Sequence, residues 1–142
     1  MRKTCTLFIA GALPLLSAQA QNTCSSALSI AAGTYTVDAV NGPEIPVPLC
    51  GTNGVGALHT EWYAYTPDQD YSLTVTTDLP QNGDVDTRFN VYSGACGQLD
   101  CVGGADDQGA NTKASITVQV SGGITYRIAF DDKWSNTGFD FQ

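Results

Sequence analysis

Hydrophobic and polar residues alternate through much of the chain after residue 60. In the stretch 71–77, Leu73 and Val75 alternate with the hydroxyl-bearing residues Ser72, Thr74 and Thr76. The same spacing recurs in three further stretches, at 87–92, 116–120 and 124–130. Because successive side chains of a β-strand face opposite sides of the sheet, this pattern predicts strands with one buried face. Ser121-Gly122-Gly123, between the last two stretches, is typical of a hairpin turn.

Less regular segments surround these strands. Further strands are predicted at 34–40, 61–66 and 138–142, with a short one after the turn that follows 87–92. Pro43, Pro46 and Pro48 lack ladder donors, so 41–49 is predicted as an extended edge or a loop, and the irregular region continues through 51–56. The segment 25–32 is interpreted as a short helix or a packed approach to the sheet. Since no later stretch has helical periodicity, we expect an all-β fold, an antiparallel, jelly-roll-like β-sandwich of about eight strands, with a barrel as the alternative.

The N-terminal segment has the features of a secretory signal peptide. Two basic residues precede an apolar run at 7–16, and Ala18-Gln19-Ala20 has the small residues of a cleavage site. The run is too short to span a bilayer as a permanent helix. We therefore expect a signal peptide at 1–20 and one secreted, extracellular domain at 21–142, with no membrane partner after cleavage. The last stretch, GFDFQ, stops in mid-pattern, which leaves open that the chain is a C-terminally truncated fragment of a longer protein.

Cysteine usage agrees with export. Removal of the leader with Cys5 leaves an even set, namely Cys24, Cys50, Cys96 and Cys101. An even set in an exported chain predicts disulfides, here two of them. Of the three possible pairings we favour Cys24–Cys50 and Cys96–Cys101, because the second pair flanks one tight turn. A zinc site is the weaker alternative, since the spacing contains no CxxC pair and His59 is the only histidine.

The charge balance excludes two classes of partner. The chain has 14 acidic and 6 basic residues, and two of the basic ones, Arg2 and Lys3, leave with the leader. Binding to nucleic acid or to anionic lipid needs clustered Lys and Arg, so we expect neither. Such a surface attracts divalent cations or basic proteins, although acidity also keeps secreted proteins in solution.

The carboxylates suggest a metal site. If every connection reverses the chain direction, seven carboxylates are expected at the same end of the sandwich. They are Asp78, Asp84, Asp86, Asp106, Asp107, Asp131 and Asp132. Calcium takes about six to eight oxygen ligands from flexible loops of this kind. Asp86, Asp106, Asp107 and Asp131 are the predicted ligands, and calcium is the one cofactor we consider. The alternative is that Asp and Gly serve here as ordinary turn residues.

Catalysis has little support in the sequence, and we do not expect an enzyme. A serine or cysteine triad needs a histidine held by an acid, and His59 has no recognisable partners along the chain. A carboxylate pair of the glycosidase type, with Glu61 and an Asp, is the alternative, because that reaction depends on the separation between two acids.

Aromatic residues are the candidates for ligand contact. Trp134 lies in the polar loop DDKWSN beside the predicted acidic end, so it either folds back onto the core or forms a ligand platform. The other aromatics considered are on predicted strands, where the core is the commoner position: Trp62, Tyr63, Tyr65, Tyr92 and Tyr126.

Several of these motifs occur in an order that resembles a known family. They are Cys24…Ala27, Trp62-Tyr63-x-Tyr65-Thr66, Asp86-Thr87-x-Phe89-x-Val91-Tyr92-x-Gly94-x-Cys96, Leu99-x-Cys101, Asp106-Asp107 and Gly123-x-Thr125-Tyr126-x-Ile128. The chain resembles exported bacterial β-sandwich modules related to the bacterial pre-peptidase C-terminal domains. This resemblance implies an accessory module of the kind found beside proteases, glycosidases and adhesins, whose relatives bind calcium, collagen or polysaccharide. We expect no catalytic domain within the 142 residues beside this module.

Together these observations predict a non-catalytic, secreted accessory module that binds extracellular polysaccharide or a protein polymer. A calcium-dependent adhesion or stability module is the first alternative. A small secreted hydrolase that uses a carboxylate pair is the second.

Overall fold

A computed structural model describes residues 21–50, 56–107 and 112–142. The predicted signal peptide at 1–20 lies outside the described residues, as do 51–55 in the predicted irregular region and part of the acidic loop after Asp107. Within the described ranges the chain forms nine strands: β1 (Leu28–Ile30), β2 (Tyr35–Ala39), β3 (Thr60–Tyr65), β4 (Tyr71–Thr76), β5 (Arg88–Ala95), β6 (Gln98–Ala105), β7 (Ser115–Val120), β8 (Tyr126–Asp131) and β9 (Thr137–Phe141). Two short 3-10 turns, Cys24–Ser26 and Pro80–Asn82, accompany them. None of the described segments is a helix long and apolar enough to cross a membrane.

The strands form the two layers of a β-sandwich. One layer is a five-stranded sheet in the order β1-β3-β8-β5-β6, antiparallel except where β1 joins β3. The other layer contains two antiparallel pairs, β2-β9 and β4-β7. These pairs meet where Thr76 and Gln142 exchange two main-chain hydrogen bonds of 2.9 Å. The predicted all-β sandwich is therefore confirmed, with nine described strands instead of about eight.

Aromatic side chains fill the space between the layers. Tyr63 and Phe130 point inward from the five-stranded sheet and meet Phe141 of the facing layer, each with ring centroids 4.7 Å apart. Val37 and Val91 complete the centre and are fully buried. The alternation seen in the sequence thus places one face of each central strand in a common core.

The outer face of the five-stranded sheet is also covered. The cover segment, residues 41–50, lies across Trp62 and Tyr92, which are completely buried. The Tyr92 hydroxyl donates to the Pro48 carbonyl at 2.6 Å, and the Cys50 amide donates to Asn90 Oδ1 at 2.8 Å. The proline-rich segment predicted as a loop or edge is therefore an ordered cover, and its polar main chain bonds to the sheet below it.

The disulfide pairing differs from the favoured one. The bonds are Cys24–Cys96 and Cys50–Cys101, so both fasten the N-terminal part of the chain to the β5-β6 hairpin. Cys96 lies in the hairpin turn, whereas Cys101 is opposite Tyr92 and three residues beyond the last strand pair, Ala95 and Gln98. Three residues of a strand span about 10 Å, so Cys101 lies about that far along β6 from the hairpin turn that contains Cys96. A disulfide joins Cα atoms less than about 7 Å apart, so Cys96 and Cys101 cannot pair with each other.

Two further expectations are corrected. Ser121-Gly122-Gly123 does not close a hairpin, because β7 pairs with β4 in one layer while β8 pairs with β3 and β5 in the other. The turn instead carries the chain between layers. The segment 25–32 contains strand β1, which runs parallel to β3, together with part of a 3-10 turn. A strand of three residues is too short for its period to be recognised in the sequence.

Candidate functional site

Strand register gathers the candidate residues at one end of the five-stranded sheet. Thr60 at the start of β3 pairs with Asp131 at the end of β8, which in turn pairs with Arg88 at the start of β5. Phe89 pairs with Ala105 at the end of β6. We call this end, with Asp86, Asp106, Asp107, Asp131 and Asp132, the acidic end.

Three of the four predicted metal ligands come together there. Asp86 precedes β5, and Asp106 and Asp107 follow its neighbour β6. One carboxylate oxygen from each of the three lies within 4.8 Å of the others. Asp86 Oδ1 and Asp106 Oδ2 are inaccessible to solvent and have no hydrogen-bond donor among the described residues. The arrangement offers a hard cation three carboxylates from two adjacent strand ends.

The proximity of these acids has an electrostatic consequence. Burial raises the pKa of Asp86, and the negative charges of Asp107 and Asp106 raise it further. Each effect disfavours the ionised carboxylate. A bound cation would reverse the second effect, because it would place positive charge among the three acids.

Asp131, the fourth predicted ligand, is placed elsewhere. Its carboxylate faces the Arg88 guanidinium, with Nε 2.9 Å from Oδ1 and 3.0 Å from Oδ2. Both side chains are fully buried. Oδ1 also accepts the Lys133 amide at 3.1 Å. The Asp131 carboxylate therefore joins β5 to β8 within the acidic end. It does not belong to the cluster formed by Asp86, Asp106 and Asp107. The sequence contained no sign of this pair, since Arg88 reads as an outward residue of an alternating strand.

His59 does have an acidic partner. Its Nδ1 lies 2.7 Å from Asp132 Oδ2, and the side chain of His59 is 44% exposed against 10% for Asp132. Asp132 Oδ1 also accepts the amides of Leu58 and His59, at 2.6 and 2.9 Å. Burial alone would raise the pKa of Asp132, but these hydrogen bonds from His59 and Leu58 outweigh it and hold the pKa below its ordinary value. The pair fastens the segment before β3 to the loop after β8.

Trp134 stands at the same end and is 49% exposed. Its indole Nε1 donates to Asp106 Oδ1 at 2.9 Å. The Lys133 ammonium lies over the ring, 4.9 Å from the ring centre. The indole is therefore neither folded into the core nor loose, because one edge is tied to the carboxylate group and one face contacts a cation.

The remaining candidate residues are buried. The strand aromatics Trp62, Tyr63, Tyr65, Tyr92 and Tyr126 are all buried. Glu61, the proposed hydrolase acid, is also buried, and its Oε1 accepts the amides of Asn41 and Gly42 at 3.1 and 3.0 Å. Burial raises the pKa of Glu61, although these two bonds lower it in part. Glu61 thus holds the start of the cover segment against β3.

Comparisons with known proteins returned no match. Neither protein-family models, nor curated proteins, nor solved structures resemble the chain closely enough to be assigned.

Proposed function

We propose that this chain is a secreted, non-catalytic module that binds extracellular polysaccharide through Trp134 at the acidic end. The observation that carries the proposal is the half-exposed indole held beside three carboxylates. Among the described residues, the other exposed large hydrophobic side chains are aliphatic: Ile45, Val47, Leu58 and Ile124. An aromatic ring in such a position supplies a flat apolar platform with a polar edge.

The chemistry around Trp134 favours a sugar over a charged ligand. The apolar face of a pyranose ring can lie on an indole, and its hydroxyl groups can donate to carboxylates such as Asp107, which is exposed. A neutral polysaccharide is not repelled by a chain with a net charge of −8. A protein polymer is the alternative ligand. The two disulfides suit an oxidising, extracellular setting.

The test is binding of the exported chain to cellulose, chitin and soluble β-glucans, with a collagen film for the alternative. Trp134→Ala should weaken polysaccharide binding at least about tenfold, because truncating a central aromatic contact typically costs roughly 2 kcal/mol. Ile124→Ala is the matched control, since Ile124 is 46% exposed but lies in the turn between β7 and β8. Equal binding by both variants and the unaltered chain would contradict the proposal, and retention on collagen alone would favour the alternative.

A divalent-cation site is the second candidate function, and calcium is the cation it suits. What favours it is the group formed by Asp86, Asp106 and Asp107, in which two carboxylate oxygens are buried without a donor. Buried polar atoms without a partner are uncommon in proteins, and a cation would satisfy both of them. These three residues would hold the ion, and Asp106 would link it to Trp134. The ion would then stabilise the acidic end and position the indole.

A further inference from the structure

One carboxylate belongs both to the acidic cluster, formed by Asp86, Asp106 and Asp107, and to the surroundings of Trp134. Asp106 Oδ1 accepts the indole N–H of Trp134 at 2.9 Å. Asp106 Oδ2 is inaccessible to solvent and has no hydrogen-bond donor among the described residues. One oxygen of each acid in the cluster lies within 4.8 Å of the others. Because the two oxygens of a carboxylate move as one rigid group, any shift of Asp106 within the cluster also moves the acceptor of the indole.

The main chain on both sides of Trp134 is held by contacts outside the acidic cluster. Before Trp134, the Lys133 amide donates to Asp131 Oδ1 at 3.1 Å. After it, the Asn136 carbonyl accepts the Val40 amide at 3.2 Å. An indole has a single N–H donor, so the bond described above is the one hydrogen bond that this side chain can donate. The cluster can therefore act on the orientation of the ring without moving the loop that carries it.

Charge decides how firmly the acceptor of the indole is held. Ionised carboxylates at the separation found in the acidic cluster repel one another. Without a cation, this repulsion favours rotation of the Asp106 side chain towards water, which weakens its bond to Trp134. A divalent cation replaces the repulsion by attraction and keeps Asp106 in the position that accepts the indole N–H. A ring that is already held loses less freedom when a ligand binds, so the ligand binds more tightly.

We propose that a calcium ion in the acidic cluster regulates polysaccharide binding by Trp134, with Asp106 as the positioning residue between the two sites. This inference rests on the polysaccharide binding proposed above. Coupling between two binding sites is reciprocal, so bound polysaccharide must tighten calcium binding by the same factor by which calcium tightens polysaccharide binding. Such factors are typically about 5 to 150, and we expect at least about fivefold here.

The first test needs no polysaccharide, because the two tryptophans of the chain give separate indole N–H signals in NMR spectra of the isotope-labelled, exported protein. Calcium should shift the Trp134 signal saturably and slow hydrogen exchange at its indole nitrogen. Trp62 is the internal control, since it is fully buried and donates to the Glu44 carbonyl at 3.3 Å. Its signal should stay unchanged. A Trp134 signal that does not respond to millimolar calcium would overturn the inference.

The second test measures the affinity for cellohexaose, chitohexaose and a soluble β-glucan, with calcium and with excess chelator. Whichever of these sugars binds should bind at least about fivefold more tightly with calcium, and calcium should bind more tightly by the same factor when that sugar is present. Trp134→Phe is the matched variant, because it keeps an aromatic ring but lacks the N–H that donates to Asp106. For this variant, calcium should change the sugar affinity less than about twofold.

The outcomes separate this inference from the function on which it rests. Equal sugar affinity with calcium and with chelator would overturn the inference and leave the proposed function standing. Binding to none of the three sugars would contradict the proposed function and the inference together. A calcium effect of unchanged size in Trp134→Phe would also overturn the inference, because the ion would then act without the bond between the indole and Asp106, for example by contacting the sugar directly.

Discussion

At the acidic end, the carboxylate of Asp132 contributes to the stability of the folded state through its hydrogen bonds. Its two oxygens accept three hydrogen bonds, from the His59 ring and from the amides of Leu58 and His59. Because these bonds favour the ionised form more than burial opposes it, the pKa of Asp132 lies below its ordinary value of 3.8. A carboxyl group whose pKa is lowered by folding stabilises the folded state above its unfolded-state pKa. That contribution is lost as the pH falls through the folded-state value.

Asp132→Asn should therefore lower the free energy of unfolding at pH 7 by about 1–3 kcal/mol, the usual cost of weakening hydrogen bonds to a buried charge. The difference in the free energy of unfolding between the variant and the unaltered chain should shrink as the pH falls below 3.8. The carboxylate of Asp132 then becomes protonated in the folded state as well as in the unfolded state. Urea unfolding from pH 7 to pH 3 measures both quantities. Asp84→Asn, at an exposed position before β5, is the control and should change little. A gap that stays constant with pH would contradict this account.

At the scale of elements, the β5-β6 hairpin anchors both disulfides. Its turn consists of Cys96 and Gly97, and Gly97 has a φ of +86°, a conformation that glycine adopts without strain. Cys96 at the tip bonds to Cys24, and Cys101 on β6 bonds to Cys50. The hairpin thus fastens the N-terminal 3-10 turn and the end of the cover segment to the sheet.

This pairing can be tested by tryptic digestion of the denatured, unreduced chain. Arg88 is the first basic residue after the predicted leader, so cleavage there separates Cys24 and Cys50 from Cys96 and Cys101. With the pairing described here, the fragment that ends at Arg88 should stay linked to the fragment 89–113 until a reductant is added. Mass spectrometry before and after reduction provides the measurement. Release of the two fragments without reductant would instead support the pairing favoured from the sequence.

At the scale of the whole molecule, the proposed cation site predicts that the stability of the fold depends on calcium. A cation held by Asp86, Asp106 and Asp107 would bind only when β5 and β6 are paired, so it would stabilise the folded state by mass action. The melting temperature should rise by several degrees with calcium and return with excess chelator. The Asp106→Asn, Asp107→Asn double variant should lose this response, whereas Asp100→Asn, on the exposed face of β6, should keep it. An unchanged melting curve for the unaltered chain would contradict the cation site and would mean that the three carboxylates are ordinary turn and surface residues.

The sequence determined the features that depend on neighbours along the chain. Alternation identified most of the strands, and the even cysteine count indicated two disulfides. The order of strands and turns also placed Asp86, Asp106 and Asp107 at one end, where the structure brings them together. These properties are local or follow from chain reversal, so the residue pattern is sufficient to predict them.

Only the tertiary structure decided which distant groups meet. The register of β5 against β8 places Arg88 opposite Asp131, and the two side chains form a buried ion pair. The passage of the chain between layers after β7 replaces the expected hairpin, and the offset along β6 excludes a bond between Cys96 and Cys101. The indole of Trp134 donates a hydrogen bond to Asp106, which is 28 positions away in the sequence. Each outcome depends on packing between segments that are remote in sequence, and no local pattern records that packing.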